Sequence, residues 1–274
     1  MLETHSSKPL RVVVVSIGRS GTSLFARILD EVLGVEFGDE ADHIPRNHNN
    51  PDGYFENAAF LAFNDRVLQV AGGWVLEPPP IDYARTMDTL VRQQLVDEAS
   101  ALLGRYAQDK PTFGWKDPRL SFTLPIWRAA CPHIVPIIAF RKPLSVLSSI
   151  GAQLDRPIES LAGLWFRYYQ HVFTHTEGLP RYFASFDQLL TDPADVVRRM
   201  AQHLGREIDE SVVATQLAEI VKPQQSRHSS AQNASNGPPI IDSATMSVYD
   251  YLTESVAHHA GQPDPQYLRQ LLRL

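Results

Sequence analysis

The sequence contains a single cysteine, Cys131, so the chain can form no internal disulfide. One unpaired thiol is typical of a reducing compartment, and Cys131 precedes Pro132 in a predicted turn, which indicates a structural role. Residues 1–9 are polar and lack the charged-then-apolar layout of a signal peptide. The longest apolar runs are far shorter than the ~18–20 residues that span a bilayer. We therefore expect a flexible tail over 1–9, no membrane span and a cytoplasmic location.

An excess of positive charge is also lacking. The chain has 25 Lys and Arg against 31 Asp and Glu, a net charge of −6. Bulk charge therefore predicts no nucleic-acid partner, although a local basic pocket is compatible with it. No internal repeat is visible. With 274 residues, 43% of them hydrophobic, the composition predicts a globular protein, and we expect one domain over residues 10–274.

A Walker A motif is missing, but a different loop stands where such a motif would lie. An apolar run over 10–17 leads into Gly18-Arg19-Ser20-Gly21-Thr22-Ser23, and a helical pattern follows. Ser23 and Leu24 occupy the positions where Walker A requires Gly-Lys. Glycines, hydroxyls, one arginine and a helix N-terminus are the parts of an anion-binding loop. A tight turn without a ligand is the alternative.

Apolar periodicity along the rest of the chain alternates between strands and helices. The predicted strands cover 10–17, 112–115, 134–140 and 181–185, and the predicted helices cover 21–33, 57–71, 87–106, 120–130, 143–154, 158–176, 193–204 and 209–220. A long loop is expected over 34–57 and a mobile one over 222–244, before two short helices. This alternation predicts an α/β fold with a central, mostly parallel sheet flanked by helices.

Three polar groups follow predicted strands. They are the loop 18–23, the segment Lys116-Asp117-Pro118-Arg119, and Arg141. Since ligands bind at the carboxyl ends of parallel strands, the three are expected to converge on one site. Arg141 and Ser149, eight residues apart, could hold a second phosphate, or Arg141 could simply be solvated. Lys222 and Arg227 flank a polar segment that could close over a bound nucleotide.

These motifs together resemble sulfotransferases that use 3′-phosphoadenosine-5′-phosphosulfate (PAPS). The loop 18–23 resembles their 5′-phosphosulfate loop, and Arg141 with Ser149 matches their 3′-phosphate motif. Residues 186–193, Phe-Asp-Gln-Leu-Leu-Thr-Asp-Pro, resemble their Tyr-Glu-Asp-Leu-Leu-x-Asp-Pro segment, with Phe186 in place of tyrosine. Residues 114–119 resemble the Lys-Asp-Pro element of tyrosylprotein and bacterial members.

The resemblance implies a P-loop-like core, PAPS as donor and its bisphosphate PAP as product. It implies transfer of a sulfuryl group to a hydroxyl or amine of a small-molecule, carbohydrate or lipid acceptor, with no metal required. Arg19 and Lys116 would stabilise the leaving group. The nucleotide-binding residues would be Arg19, Ser20, Gly21, Thr22, Ser23, Arg141, Ser149 and Phe186, with Arg227 added from the polar segment. His43 and His48 have no partner that completes a metal site in the sequence.

A proton acceptor is expected in the acidic loop over 36–57. Counted from Arg19, the register of the tyrosylprotein sulfotransferases places Glu40 on the catalytic glutamate, while Asp42 departs from that family's pattern. Glu56 lies in a segment common in small bacterial sulfotransferases and is the second candidate, ahead of Asp117 and His48. Two other functions stay open: a P-loop small-molecule kinase, and a nucleotide-binding relative that has lost catalysis.

Overall fold

A parallel sheet forms the centre of the fold. The computed structural model describes residues 9–47, 50–51, 53–222, 241–258 and 263–274, and within these ranges the sheet has four strands. They are β1 (Leu10–Val15), β2 (Thr112–Lys116), β3 (Ile134–Phe140) and β4 (Tyr182–Ser185), in the order β2-β1-β3-β4 and parallel throughout. All carboxyl ends therefore meet at one edge, as the sequence predicts.

Alternate side chains of the strands enter two hydrophobic cores, one on each face of the sheet. In β1, Val13 and Val15 belong to one core, while Val12 and Val14 belong to the other. This is the two-residue period of a strand that is covered on both sides, and it explains why the run reads as continuously apolar. The predicted α/β class is confirmed.

Helices cover both faces. They are α1 (Thr22–Glu31), α2 (Ala58–Val70), α3 (Tyr83–Thr86), α4 (Thr89–Ala107), α5 (Leu120–Ala130), α6 (Pro143–Leu154), α7 (Leu164–His175), α8 (Phe186–Thr191), α9 (Pro193–His203), α10 (Glu210–Ile220), α11 (Ser243–His258) and α12 (Pro265–Leu272). Helices α1, α9 and α10 pack on one face, and α2, α4, α5, α7, α11 and α12 pack on the other. Two short 3₁₀ turns lie at Glu40–Asp42 and Ile158–Leu161.

Several predicted boundaries hold because the local signals are strong. Strand β3 and helices α5 and α6 have the predicted bounds. Pro143 begins α6 as its first helical residue, where its missing N–H costs nothing. The Asn57 side chain accepts hydrogen bonds from the backbone N–H of Ala59 and Phe60, and so fixes the start of α2.

Other boundaries were wrong. The helix predicted over 158–176 is divided into a 3₁₀ turn and α7, because Gly163 lies between them with a left-handed φ of 74°. Strand β1 ends two residues earlier, at Val15, and α11 has 16 residues, not the few expected of a short helix. α11 also begins inside the predicted loop 222–244, whose residues 223–240 lie outside the described part.

None of the described helices is both long and apolar enough to cross a bilayer. In the same ranges, no group of three or more His, Cys, Asp or Glu side chains is arranged to hold a metal ion.

Candidate active site

The loop between β1 and α1 turns through two left-handed residues. Arg19 has a φ of 70° and Gly21 a φ of 81°. A side chain at Gly21 is disfavoured for two reasons. The left-handed φ favours glycine, and an added Cβ would lie 2.0 Å from Cδ2 of Phe186. Thr22 then begins α1, so the free N–H groups of the helix start face the edge of the sheet where the strands end. The sequence predicted this arrangement of loop and helix.

Arg141 and Ser149 both reach the same loop. The Arg19 Nε donates to the Ser149 Oγ across 2.8 Å, and the Arg141 Nη1 donates to the backbone oxygen of Arg19 across 3.2 Å. The guanidinium of Arg141 lies 4.6 Å from the ring centroid of Phe186, a cation–π contact. The structure therefore brings together four residues that are separated by up to 167 positions, from Arg19 to Phe186.

Two guanidinium groups, of the buried Arg141 and the half-buried Arg19, bring positive charge to this part of the site. Burial lowers the pKa of both Arg19 and Arg141, and the charge of Arg19 lowers the pKa of Arg141 further, against the opposing effect of Asp187. The buried Arg141 Nε has no hydrogen-bond partner among the described residues. An anion placed here would supply the missing acceptor and offset the repulsion between the two cations.

Lys116 and Glu56 form a buried ion pair at the end of β2. The Lys116 Nζ lies 2.5 Å from the Glu56 Oε1, and the two residues are 3% and 6% exposed. Burial raises the pKa of the Glu56 carboxyl, and the positive charge of Lys116 opposes only part of that effect. A carboxylate with a raised pKa is a better proton acceptor, and a buried ammonium is a strong hydrogen-bond donor.

Residues 50–51 and 53–56 lie next to the start of α1 and lead to Glu56. The Asn50 Nδ2 donates to the Ser23 Oγ across 3.0 Å and to the Gly53 backbone oxygen across 2.7 Å. The Ile44 N–H donates to the Glu56 backbone oxygen across 2.8 Å. Asn50 is thus a positioning residue that the sequence reasoning missed, although its place before Pro51 signals a turn.

Asp117, also considered as a base, has both carboxylate oxygens engaged. The Asn64 Nδ2 donates to its Oδ2 across 2.9 Å, and the backbone N–H and Nη1 of Arg119 donate to its Oδ1. Asn64 in turn accepts from Thr123 and Trp127. Through these hydrogen bonds, the Asp117 carboxylate orders the segment that follows Lys116. Asp117 is also buried, with only 1% of its surface exposed.

Glu40 lies elsewhere. It sits in the 3₁₀ turn, its side chain is 74% exposed, and its Oε1 accepts from Arg46 Nη2 across 2.7 Å. The structure therefore brings Glu56, and not Glu40, to Lys116. His48 and Arg227 lie outside the described residues.

One cavity of about 710 Å³ joins these groups. Most of the predicted site residues line it, namely Arg19, Gly21, Thr22, Ser23, Glu56, Lys116, Arg141 and Phe186. Ser20 and Ser149 lie behind this lining, and Glu40 is not among the described residues that form it. Sequence reasoning did not single out Tyr54, whose ring centroid lies 6.0 Å from Lys116 Nζ.

Three solved structures are similar to the chain. The sulfotransferase domain from the curacin biosynthetic pathway superposes with a TM-score of 0.51 at 14% identity, covering 90% of this chain and 99% of that one. The sulfotransferase domain of the Synechococcus PCC 7002 olefin synthase gives 0.49 at 17% identity, covering 98% and 95%. Retinol dehydratase, in complex with androsterone and inactive cofactor PAP, gives 0.44 at 15% identity, covering 97% and 82%. Only the first exceeds 0.5, and it supports the fold.

Sequence comparison gives the family. No curated protein matches the chain significantly. The family model described as "Sulfotransferase family" matches residues 9–210, about three quarters of the chain, and this range contains Arg19, Arg141 and the Lys116–Glu56 pair. The chain belongs to the sulfotransferase family.

Proposed function

We propose that this protein transfers a sulfuryl group from PAPS to a hydroxyl, or an amine, of a small acceptor molecule. The observation that carries the proposal is the buried Lys116–Glu56 pair, which opens into the same cavity as Arg19 and Arg141. A cation and a proton acceptor thus face one space beside Arg19 and Arg141, which with the loop 18–23 and the start of α1 form the anion pocket of this proposal. Those are the two groups that sulfuryl transfer to a hydroxyl needs.

The residues of the anion pocket fit the donor. The loop 18–23 and the start of α1 would hold its 5′-phosphosulfate, as backbone N–H groups at helix starts hold other oxyanions. Arg141 would hold its 3′-phosphate, and the unpartnered Nε of this residue supports that fit. Ser149 orients Arg19 through their hydrogen bond. Phe186 would support Arg141 through the cation–π contact of its ring. Arg227 stays a predicted contact of the nucleotide. Bound there, the donor supplies the sulfuryl group.

Glu56 is the proton acceptor in this proposal. Glu40 was the first candidate from the sequence register, but it is exposed, pairs with Arg46 and is not among the described residues that line the cavity, which supports Glu56 instead. Glu56 would take the proton of the acceptor hydroxyl, which makes the oxygen nucleophilic. Lys116 and Arg19 would donate hydrogen bonds to the oxygen that leaves, where negative charge grows.

Two measurements test the proposed reaction. Adenosine 3′,5′-bisphosphate should raise the melting temperature at concentrations where ATP with magnesium does not, because only the first carries the phosphate that Arg141 would bind. A mass-spectrometric screen of hydroxylated compounds incubated with PAPS should then show an added sulfate. Stabilisation by ATP with magnesium alone, with no sulfated product, would favour a kinase.

A further inference from the structure

We infer that the acceptor is a hydroxyl compound with an extended apolar body, such as an alkyl or aromatic alcohol, and not a carbohydrate. This inference rests on the proposed function, in which the reacting hydroxyl of the acceptor molecule points to Glu56. Its basis is the uneven distribution of polar and apolar side chains around the cavity.

Most of the polar and charged side chains that line the cavity lie near the strand ends, while Arg27 on α1, Asn50 and Lys222 line it elsewhere. Arg19, Lys116, Arg119 and Arg141 lie at the carboxyl ends of β1, β2 and β3 or in the turns that follow them, and Thr22 begins α1. Glu56 completes this part through its ion pair with Lys116. The donor's charged groups and the acceptor's reacting hydroxyl account for the polar side chains here.

A second part of the lining is mainly apolar and is called the apolar wall. It is formed by the segment 75–76, the second half of α6 and the first half of α7, and its residues are Val75, Leu76, Ile150, Gln153, Leu154, Leu164 and Tyr168. Ile150 and Leu154 are four positions apart, so they lie on one side of α6. Ser149, next to Ile150, contacts Arg19. Helix α6 thus connects the anion pocket to the apolar wall directly.

The wall has few groups that could hold a sugar. The Tyr168 hydroxyl donates to the Val75 backbone oxygen across 2.9 Å, so its proton is already used, and Tyr168 is among the residues that line the cavity. Among the described residues of the wall, only Gln153 carries a side-chain amide. A carbohydrate would bring several hydroxyls, and each one buried without a partner would cost binding free energy. An alkyl or aromatic body would instead gain from burial against these side chains.

Leu154 is the best point at which to test the wall. It is the last residue of α6 and is 44% exposed, although it lines the cavity. A substitution there changes the cavity surface without opening the core. Leu90, near the start of α4, is 74% exposed and is not part of the cavity lining, so Leu90→Gln is a matched control.

The experiment uses primary alcohols from 1-butanol to 1-octanol and methyl glucoside. Affinity is measured by calorimetry on the protein saturated with adenosine 3′,5′-bisphosphate, and kcat/KM is measured with PAPS. Both should rise by up to about fourfold for each added methylene until the wall is covered. Leu154→Gln should weaken 1-octanol binding by about fivefold, whereas Leu90→Gln should leave it unchanged.

The outcomes separate this inference from the proposed function. A flat alcohol series, equal or better turnover of methyl glucoside, or equal effects of Leu154→Gln and Leu90→Gln would overturn the apolar-acceptor inference, even if sulfuryl transfer is observed. Chain-length-dependent binding that Leu154→Gln weakens, without transfer to any alcohol, would support the apolar site and contradict the proposed reaction.

Discussion

The indole Nε1 of Trp165 donates a hydrogen bond to the backbone oxygen of Arg141 across 3.2 Å. The same indole stacks on Tyr169, with ring centroids 4.0 Å apart, and the Tyr169 hydroxyl donates to the Ala139 backbone oxygen across 2.7 Å. Helix α7 therefore holds the end of β3, from which Arg141 reaches the anion pocket. Trp165 and Tyr169 both belong to the hydrophobic core.

Trp165→Phe keeps an aromatic ring and removes the donor to Arg141. The loss of one buried hydrogen bond should weaken adenosine 3′,5′-bisphosphate binding by roughly 2–10-fold, because about 0.5–1.5 kcal/mol no longer holds Arg141 in place. Calorimetry measures this affinity. Tyr83→Phe is the control, since it removes a buried hydroxyl bonded to the Phe122 oxygen on α5. It should lower stability but not affinity, and equal losses of affinity in both variants would argue against a positioning role for Trp165.

Gly21→Ala should destabilise the protein by about 1–3 kcal/mol, because the residue has a positive φ and its new Cβ would collide with Phe186. Denaturant unfolding measures the change. Gly104→Ala in α4 is the control: no atom lies within 4 Å of its added Cβ, so it should be neutral or stabilise by about 0.5–1 kcal/mol. If Gly21→Ala is as stable as the wild type, the loop does not have the described turn.

Arg141→Ala should weaken adenosine 3′,5′-bisphosphate much more than adenosine 5′-phosphate. A charged hydrogen bond to a phosphate contributes roughly 1.5–3 kcal/mol, and only the first ligand carries the 3′-phosphate. Calorimetry with both ligands gives the difference, with Arg105→Ala on the exposed side of α4 as the control. Equal weakening of the two ligands would mean that Arg141 contacts another part of the nucleotide.

The buried histidine pair in α7 predicts acid sensitivity. Burial, reinforced by His175, lowers the pKa of His171 to about 3 from 6.5. On acidification, His171 therefore binds a proton in the unfolded chain at a higher pH than it does in the folded chain. Stability contributed by neutral His171 is present above pH ~6.5 and is lost as the pH falls towards ~3, by up to about 1.4 kcal/mol per pH unit.

The measurement is the free energy of unfolding between pH 6.5 and pH 4. His171→Gln should give a shallower slope than the wild type, whatever its stability at pH 7. The exposed His133 is the control position, and His133→Gln should keep the wild-type slope. A wild-type slope in His171→Gln would mean that His171 is accessible to protons in the folded state.

The first and last residues of strand β3 and of helices α5 and α6 could be predicted, because particular residue types mark the ends of these elements. An uninterrupted apolar run, then Arg141 and a helix-starting Pro143, define the strand end and the next helix start. Convergence of the loop 18–23, Lys116 and Arg141 followed from parallel topology alone.

The choice between Glu40 and Glu56 could not follow from sequence in the same way. Both residues lie in one polar loop. Two hydrogen bonds hold Glu56 in its place: Asn50 donates to Ser23, and the Ile44 N–H donates to the Glu56 backbone oxygen. The sequence of this loop has no apolar periodicity from which these contacts could be predicted. The break before α7 has a similar cause, since one left-handed glycine, Gly163, interrupts an otherwise helical apolar pattern.

Comparison of Glu56→Gln with Glu40→Gln tests the central claim most directly. Glutamine at position 56 keeps an oxygen for Lys116 but cannot accept the acceptor's proton. With PAPS and an acceptor found by the screen, Glu56→Gln should lower kcat by roughly 10²–10⁴-fold, while adenosine 3′,5′-bisphosphate binding stays nearly unchanged. Glu40→Gln should retain wild-type turnover. Near-normal kcat in Glu56→Gln, together with lost turnover in Glu40→Gln, would contradict the account.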